Sequence, residues 1–346
     1  MKRNSVTLKD VAAEAGVSMM TVSKALRSKP GVSEATRGMI IDVANRLGYE
    51  ANTSASILKS GRSGIVQVIV NEYNIPFYSA LIEALSTAIT NQGMLPFLQQ
   101  TGYSSKEAES VLANTRIAGA LSDGAIIHAS SLNGALVSSI NKGKPAVLID
   151  SCDEQPLVSS ITFPNEDGAR AAIRHLAERG CKRIGIVGPP FMSKTEFLTD
   201  PSPRKLRLRG AKSALQELGL TYDESTVIPL NGLTEEYGRE AGHRLAEDGL
   251  AFDGLMCLND SSAFGVIRGL RDRGVRVPDD VKVIGFDGVR GGEFTVPSLT
   301  TIRVDIDQLA QLAVMTLMQQ IQRTGDPVPP TRTIVGFTLV ERESTK

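Results

Sequence analysis

Short apolar runs of β-strand type alternate with helical stretches from residue 65 to residue 286, and this alternation restricts the fold more than any other feature. The strand-like runs lie at residues 65–70, 95–98, 125–127, 146–149, 184–187, 227–230, 255–258 and 281–286. The helical stretches lie at 77–92, 106–117, 206–218, 238–246 and 261–273. Continuous apolar strands alternating with helices are typical of parallel sheets covered on both faces. The series occurs in two halves, which predicts an α/β core of two doubly wound parallel sheets, with ligands bound beyond the carboxyl ends of the strands.

Residues 7–26 read TLKDVAAEAGVSMMTVSKAL and predict two short helices joined by a tight turn. Thr7 is a suitable N-cap because its hydroxyl can accept an amide hydrogen of the first turn. Gly16 ends the first helix where a left-handed backbone costs little, and Ser18 caps the second helix. The pattern is typical of an all-α helix-turn-helix head whose second helix enters a DNA major groove. An ordinary helical hairpin is the alternative that the pattern alone leaves open.

A third helix and a linker follow the hairpin. Ser33 caps a helix that runs to residue 47, and Gly48 ends it. Residues 52–61 (NTSASILKSG) are polar and small, so we expect them to be disordered alone and to fold on binding. Ala55 and Leu58 lie three residues apart and would share one helical face. Leu58 then has no protein core to enter, and a wedge into a minor-groove base step is one use for it.

The charge is unevenly distributed, although the net charge of the 346 residues is zero. Residues 1–62 contain ten Lys or Arg against five Asp or Glu, and the remainder contains 28 against 33. A basic head on an acidic body indicates that only the head touches a polyanion, with a solvated surface as the alternative. Three cysteines without a pairing or metal-ligand pattern favour the reducing cytoplasm. We see no signal peptide and no apolar run of membrane-spanning length, so no membrane partner is expected.

Several blocks outside the helix-turn-helix carry a family resemblance. They are GVSEATR at 31–37, GYEAN at 48–52, EDGAR at 166–170, LND at 258–260, RVPDDVKVIGFD at 276–287 and PSLTTIR at 297–303. In this order and spacing, together with residues 7–26, they resemble the LacI/GalR family of bacterial transcription regulators over essentially the full chain. The resemblance implies a DNA-binding head, a hinge helix and a core like a periplasmic sugar-binding protein. It also implies a homodimer, in some members a tetramer, whose DNA affinity a small molecule changes.

The resemblance sets the expected domain boundaries. The head is expected at residues 1–50, the hinge at 51–62 and the effector-binding and dimerisation core at 63–346. Within the core, the N-terminal half is expected at about 63–162 and 304–331, and the C-terminal half at about 163–303 and 332–346. Residues 332 onward, with 334–339, predict one late strand that returns to one half. Departures from the family pattern at Ala51, Ile75, Leu233 and the long segment 191–205 lie at the hinge and around the ligand.

The resemblance implies DNA contacts on the second helix and in the hinge. Met19, Met20 and Lys24 occupy the positions from which the family reads bases. Lys24 can donate to guanine, whereas methionine can only contact thymine methyl groups. Two adjacent methionines cannot both face one narrow core, so at least one should be exposed. Phosphate contacts are expected from Thr7, Ser18, Thr21 and Ser23, with capping as a compatible role for Ser18. The contacts expected in the hinge are Asn52, Ala55, Leu58 and Lys59.

Four polar residues match ligand-contact positions of the family, each at a strand end or helix start facing the predicted cleft. They are Asp150, Arg207, Asn259 and Asp287. Carboxylates, an amide and an Arg fork suit a polyhydroxylated ligand. The alternatives are a helix N-cap for Asn259 and above all for Asp260, and a structural turn for Asp287. Phe77 and Tyr78 are expected either to stack on a sugar ring or to pack in the core. The cluster Arg204, Lys205, Arg207 and Arg209 either receives an anionic group or forms a solvated helix face.

Two other classes of protein compete with a regulator. An enzyme is disfavoured because we find no Ser–His–Asp spacing, Walker loop or metal cluster, and His128, His175 and His243 are isolated. A sugar-binding receptor without DNA-binding function is disfavoured by the basic head. The sequence therefore predicts a cytoplasmic transcription regulator without cofactor or metal. We expect a repressor that binds a palindromic double-stranded operator and responds to a sugar or sugar derivative.

Overall fold

The chain divides into two compact units, Met1–Ser63 and Gly64–Lys346, in a computed structural model. The structure describes residues 6–26, 30–49, 62–102, 121–128, 144–153, 156–188, 190–192, 196, 202–326 and 328–346. The first unit contains the basic head, and the second contains the alternating β and α segments.

The head is a bundle of three helices, α1 (Leu8–Glu14), α2 (Met19–Leu26) and α3 (Glu34–Leu47). Gly16 and Gly48 adopt positive φ angles of 64° and 67°, which few side-chain-bearing residues tolerate, and these glycines end α1 and α3. The three predicted helices and their stops are therefore confirmed. Their buried residues form one small core of Val11, Ala12, Val22, Ala25, Ile40, Val43 and Ala44.

In the residues that the structure describes, twelve strands form two sheets of the second unit. They are β1 (Ile65–Val70), β2 (Leu95–Gln100), β3 (Gly124–His128), β4 (Ala146–Ile149), β5 (Ser160–Thr162), β6 (Ile184–Gly188), β7 (Val227–Pro229), β8 (Gly254–Cys257), β9 (Lys282–Asp287), β10 (Thr300–Val304), β11 (Arg332–Ile334) and β12 (Phe337–Val340). The first sheet has the order β11-β5-β4-β3-β1-β2 and the second β12-β10-β9-β8-β6-β7. All neighbours are parallel except β10 and β12. The predicted pair of doubly wound parallel sheets is confirmed.

Six helices in the described part of the second unit accompany these sheets. They are α4 (Pro76–Asn91), α5 (Asn165–Glu178), α6 (Pro203–Glu217), α7 (Glu235–Glu247), α8 (Asp260–Asp272) and α9 (Ile306–Gln322). Helix α9 contacts α4 and strands β3, β4 and β5 of the first sheet, whereas α5 contacts β8, β9 and β10 of the second. Three short 3₁₀ segments, Glu224–Thr226, Arg290–Glu293 and Glu343–Thr345, complete the regular structure of the described residues.

The late strand expected at 334–339 is wrong in one respect. It is two strands on either side of Gly336, and they belong to different sheets. Residues 332–334 form β11, the parallel edge strand beside β5, so the expected return to the C-terminal half at residue 332 comes too early. A run of β-type residues predicts a strand, but it does not tell which other strand will pair with it. Strands β5 and β10 and helices α5 and α9 were not among the predicted elements, and the predicted helix at 106–117 lies outside the described residues.

Candidate functional site

The second helix of the head, α2, presents one polar and thioether face. Val22 and Ala25 are buried, whereas Met19, Met20 and Lys24 are exposed. The exposed fraction is 55% for Met19 and 69% for Met20, which confirms that the two methionines do not share the core. Helical spacing therefore turns the three predicted base-reading side chains away from the head core.

The hydroxyl groups around α2 are partly engaged within the head. The Ser18 hydroxyl accepts the backbone N–H of Thr21 at 3.1 Å, which makes Ser18 the N-cap, and it lies 2.9 Å from the Thr21 hydroxyl. One of these two hydroxyls donates to the other, so one hydroxyl hydrogen is left to donate. Ser23 is half-buried on the same helix.

Thr7 caps α1 together with Asp10. Its hydroxyl donates to the Asp10 carboxylate at 2.7 Å, and its backbone N–H donates to the same oxygen at 2.8 Å. These bonds lower the pKa of Asp10. Thr7 is thus the N-cap of α1, as expected, and it forms a capping box with Asp10 three positions on. The expected hinge contacts Asn52, Ala55, Leu58 and Lys59 lie outside the described residues.

A chain of hydrogen bonds, called here the cleft relay, joins the carboxyl edges of the two sheets. Asp150 follows β4 of the first sheet, and its carboxylate accepts the Asn165 amide at 2.9 Å. The Asn165 carbonyl accepts Arg207 Nε at 2.8 Å, and Arg207 Nη1 lies 3.1 Å from Asp287 at the end of β9. Arg207 also donates to the Leu258 carbonyl at 2.5 Å. The relay thus brings together three of the four polar residues predicted to bind the effector, through Asn165, which was not predicted.

The relay is buried, and its charges balance one another only in part. Asp150, Arg207 and Asp287 are each less than a tenth exposed. Burial raises the pKa of Asp150 to about 7, against the opposing effects of Arg207 and the Asn165 hydrogen bond. Burial also raises the pKa of Asp287, again against the effect of Arg207. The guanidinium carbon lies over the Phe286 ring, 3.8 Å from its centroid, in a cation–π contact.

Asn259 lies beside the relay as the N-cap of α8. The side-chain oxygen of Asn259 accepts the Ser262 backbone N–H at 3.0 Å, and its side-chain N–H group donates to the Leu233 backbone carbonyl at 3.0 Å. The cap is therefore Asn259, and the expectation that Asp260 caps this helix is wrong. Asp260 is fully buried and accepts the backbone N–H groups of Gly288 and Val289, both at 2.8 Å. The Asp260 carboxylate therefore binds the turn that follows β9 and does not cap α8.

Phe77 and Tyr78 are buried at the start of α4 and belong to the hydrophobic core. Phe77 packs edge-on against Phe163 with ring centroids 5.4 Å apart, and Tyr78 packs edge-on against His128 at 5.0 Å. The Tyr78 hydroxyl accepts the Asn71 amide at 3.3 Å. In this conformation both rings act as packing residues at the edge of the first sheet, which is the second of the two roles expected for them.

Sequence reasoning missed a row of polar residues at the carboxyl edge of the first sheet. Asn71, Thr101 and His128 stand at the ends of β1, β2 and β3, as Asp150 does after β4. His128 is buried, and burial, assisted by Arg207, lowers its pKa to about 4. The signal that could have found these residues is their position directly after apolar strand runs. Asn165, at the first position of α5, gave no comparable signal.

The predicted basic cluster on α6 does not act as one unit. Arg207 is buried in the relay, whereas Arg209 pairs with Glu166 at 2.7 Å on the surface. Among the described residues, no group of three His, Cys, Asp or Glu side chains is arranged to hold a metal ion. None of the helices within the described ranges combines the length and apolar character that a membrane span requires.

Comparison with known proteins identifies both units. Residues 7–52 match the model of bacterial regulatory proteins of the lacI family, and residues 173–345 match that of a periplasmic binding protein-like domain. The HTH-type transcriptional regulator MalR of Streptomyces coelicolor is 32% identical over 98% of this chain and 96% of MalR. The solved lac repressor dimer bound to operator and the anti-inducer ONPF is 26% identical, with a TM-score of 0.83 and 99% of each chain covered.

A second solved structure is a complex of the transcriptional regulator CelR with cellobiose. It is 29% identical to this chain, with a TM-score of 0.69, and the alignment covers 98% of this chain and 99% of CelR. The relatives are transcription regulators, and the likeness extends over head and core alike.

Proposed function

Because this chain belongs to the LacI family of bacterial regulatory proteins and is a DNA-binding transcription regulator, we propose that it is a repressor whose operator affinity a small effector controls. The effector binds between the two sheets of the core. The cleft relay carries this proposal, since it joins Asp150 of the first sheet to Asp287 of the second. A ligand that replaces one of its hydrogen bonds acts on both halves at once and can favour one orientation of them.

The proposed effector is a sugar or sugar derivative. Asp150, Arg207, Asn259 and Asp287 offer carboxylate, guanidinium and amide groups, which accept from and donate to hydroxyls. Phe77 and Tyr78 pack in the core in this conformation, so that stacking of either ring on the sugar stays a prediction. The likeness to CelR, whose solved complex contains cellobiose, supports this class of ligand.

The proposed DNA contacts begin on α2. Met19, Met20 and Lys24 would read bases, because their side chains are the exposed ones on that helix. Thr7, Ser18, Thr21 and Ser23 would contact phosphates, which accept hydrogen bonds only. The Ser18–Thr21 pair keeps one hydrogen to donate, whereas Thr7 would first have to release Asp10.

The proposed operator is palindromic because two copies of the chain bind it together. The likeness to the lac repressor dimer on its operator supports a homodimer, with a tetramer as the larger alternative. Asn52, Ala55, Leu58 and Lys59 of both hinges would then meet at the centre of the site, where two copies of Leu58 open a minor-groove step. A regulator of this kind works in the cytoplasm, where its DNA is, and performs no enzymatic reaction.

The decisive experiment compares Arg207→Ala with Arg209→Ala, two variants of one helix. An operator is first selected from random palindromic duplexes, and a thermal-shift screen of sugars, sugar phosphates and sugar acids identifies the effector. Effector should change the operator affinity of the wild type by about 5- to 150-fold, the usual range of such coupling. Arg207→Ala should bind operator normally and no longer respond, whereas Arg209→Ala should respond like the wild type. A full response from Arg207→Ala would place the effector elsewhere.

The DNA side has its own matched pair, Lys24→Ala and Lys59→Ala. Lys24→Ala should weaken operator binding by about 1–3 kcal/mol and relax the choice at one base pair, because it removes a base contact. Lys59→Ala should weaken operator and random DNA alike, since it removes only phosphate charge. Titration of both duplexes with both variants decides this assignment. Equal losses of Lys24→Ala on the two duplexes would contradict a base-reading role for Lys24.

A further inference from the structure

The described residues contain three buried thiols and four exposed thioethers. Cys152, Cys181 and Cys257 are free and buried. Burial raises the pKa of Cys181 to about 11 and raises that of Cys257 as well. Oxidation of cysteine follows its thiolate character and exposure, so all three thiols are poor targets.

The two most exposed of these methionines lie side by side on one helix. Met19 and Met20 are 55% and 69% exposed, and the comparable methionines are Met39 at 43% and Met315 at 53%. Met19 and Met20 are adjacent in the first turn of α2, while Met39 lies on α3 and Met315 on α9 of the other unit. The two most exposed methionines among the described residues therefore belong to the turn that is proposed to read bases.

We propose that Met19 and Met20 are an oxidative modification site through which peroxide-class oxidants weaken operator binding. In each event the O–O bond of hydrogen peroxide breaks, one oxygen bonds to the methionine sulfur, and the other leaves as water. The sulfur is oxidised to a sulfoxide by two electrons and the peroxide is reduced by two. The inference rests on the proposed function, because it requires that these side chains meet DNA.

The loss of affinity follows from the polarity of the sulfoxide. A thioether contacts a thymine methyl as an apolar group and loses little on leaving water. A sulfoxide oxygen is hydrated in the free protein, and its water must be removed when the helix enters the groove. That oxygen is a hydrogen-bond acceptor and cannot donate to phosphate oxygens. Neither effect changes the head core, because the buried residues of α2 are Val22 and Ala25.

The test treats the full-length protein with graded hydrogen peroxide, then follows operator affinity by gel retardation and sulfoxide at each methionine by peptide mass spectrometry. Wild-type affinity should fall by about tenfold or more, a loss of about 1.4 kcal/mol or more, in step with oxidation of Met19 and Met20. Methionine sulfoxide reductases A and B with dithiothreitol should restore it. The double variant Met19→Leu/Met20→Leu keeps similar apolar volume and should resist peroxide. Met39→Leu and Met315→Leu should remain as sensitive as the wild type.

Two results would overturn the inference. One is an unchanged operator affinity when both methionines are fully converted to sulfoxide, and the other is a double variant that loses as much affinity as the wild type. If the untreated double variant fails to bind operator, the reductase treatment of oxidised wild type provides the test. Operator affinity that stays low after Met19 and Met20 are reduced to thioethers would exclude this site. An untreated wild type that binds no palindromic duplex would instead contradict the proposed function.

Discussion

Asp260 and Asp287 are two buried carboxyl groups with different tasks. Asp287 faces Arg207, whereas Asp260 accepts the N–H groups of Gly288 and Val289 and the Thr301 hydroxyl at 2.6 Å. Asp287 and Gly288 have φ angles of 114° and 79°, a backbone that residues with side chains rarely adopt. The hydrogen bonds to Asp260 therefore hold the turn that presents Asp287 to the cleft.

Replacement of Asp260 should lower the affinity for effector more than the affinity for operator. Asp260→Ala removes both backbone anchors, and we expect effector affinity to fall by about tenfold or more, or about 1.4 kcal/mol. Asp260→Asn keeps one oxygen for the two N–H groups and can donate to the Thr301 oxygen, so it should retain most of the affinity. Isothermal titration with the effector and gel retardation with operator measure the two properties. Normal effector affinity in Asp260→Ala would show that the turn holds Asp287 without this carboxylate.

Among the elements, α7 and α8 owe their close packing to four glycines. These are Gly238 and Gly242 on α7 and Gly265 and Gly269 on α8, each pair four residues apart. A Cβ built at any of them would lie 2.1–2.6 Å from a backbone atom of the facing helix. Because α8 begins with Asn259 and Asp260, this packing also positions the polar groups at its N-terminus.

Gly265→Ala tests this packing, because the account requires the variant to be less stable than the wild type. In an open helix position this change stabilises a protein by roughly 0.5–1 kcal/mol, because glycine is the more flexible residue when unfolded. Here the new Cβ would lie 2.1 Å from the Glu235 carbonyl oxygen, so we expect a loss of about 1–3 kcal/mol instead. Urea unfolding of the variant measures this. Gly336→Ala is the control, since its Cβ would meet no atom within 4 Å and should cost little. Equal stability of the two variants would contradict the account.

At the scale of the whole molecule, the buried cleft makes folding stability depend on pH. The pKa of Asp150 is about 7 in the folded protein against 3.8 in its ordinary state, so between these values the folded state holds a proton that the unfolded state releases. This contribution therefore makes stability fall as pH rises from about 4 to 7. His128 acts oppositely, because its lowered pKa removes stability as pH falls from 6.5 to about 4.

Asp150→Asn should separate these two contributions. The variant lacks the titrating carboxyl but keeps an oxygen for Asn165, so its stability relative to the wild type should rise from pH 4 to 7 and stay level above pH 7. The change should be of order a few kcal/mol, at about 1.4 kcal/mol for each unit of pKa shift. Chemical denaturation at half-unit pH steps measures the difference, and Asp153→Asn, three residues along, is the control. A difference that does not vary with pH would show that Asp150 is not protonated in this range.

The sequence by itself determined the features that depend on a few neighbouring residues. Caps such as Ser18 and Ser33, stops such as Gly16 and Gly48, and the apolar runs of the parallel strands are local, so three head helices and two doubly wound sheets followed from them. Strand ends also marked Asp150 and Asp287. Their role as effector contacts stays a prediction.

Only the tertiary structure decided which distant groups meet. It paired β11 with β5 rather than with the sheet of β12, placed Asn165 between Asp150 and Arg207, and gave Asp260 to the turn after β9. Strand pairs, buried ion pairs and hydrogen bonds of this kind join residues far apart in the chain. Their geometry depends on how whole elements pack, because burial makes a polar group take whichever partner the packing brings within reach.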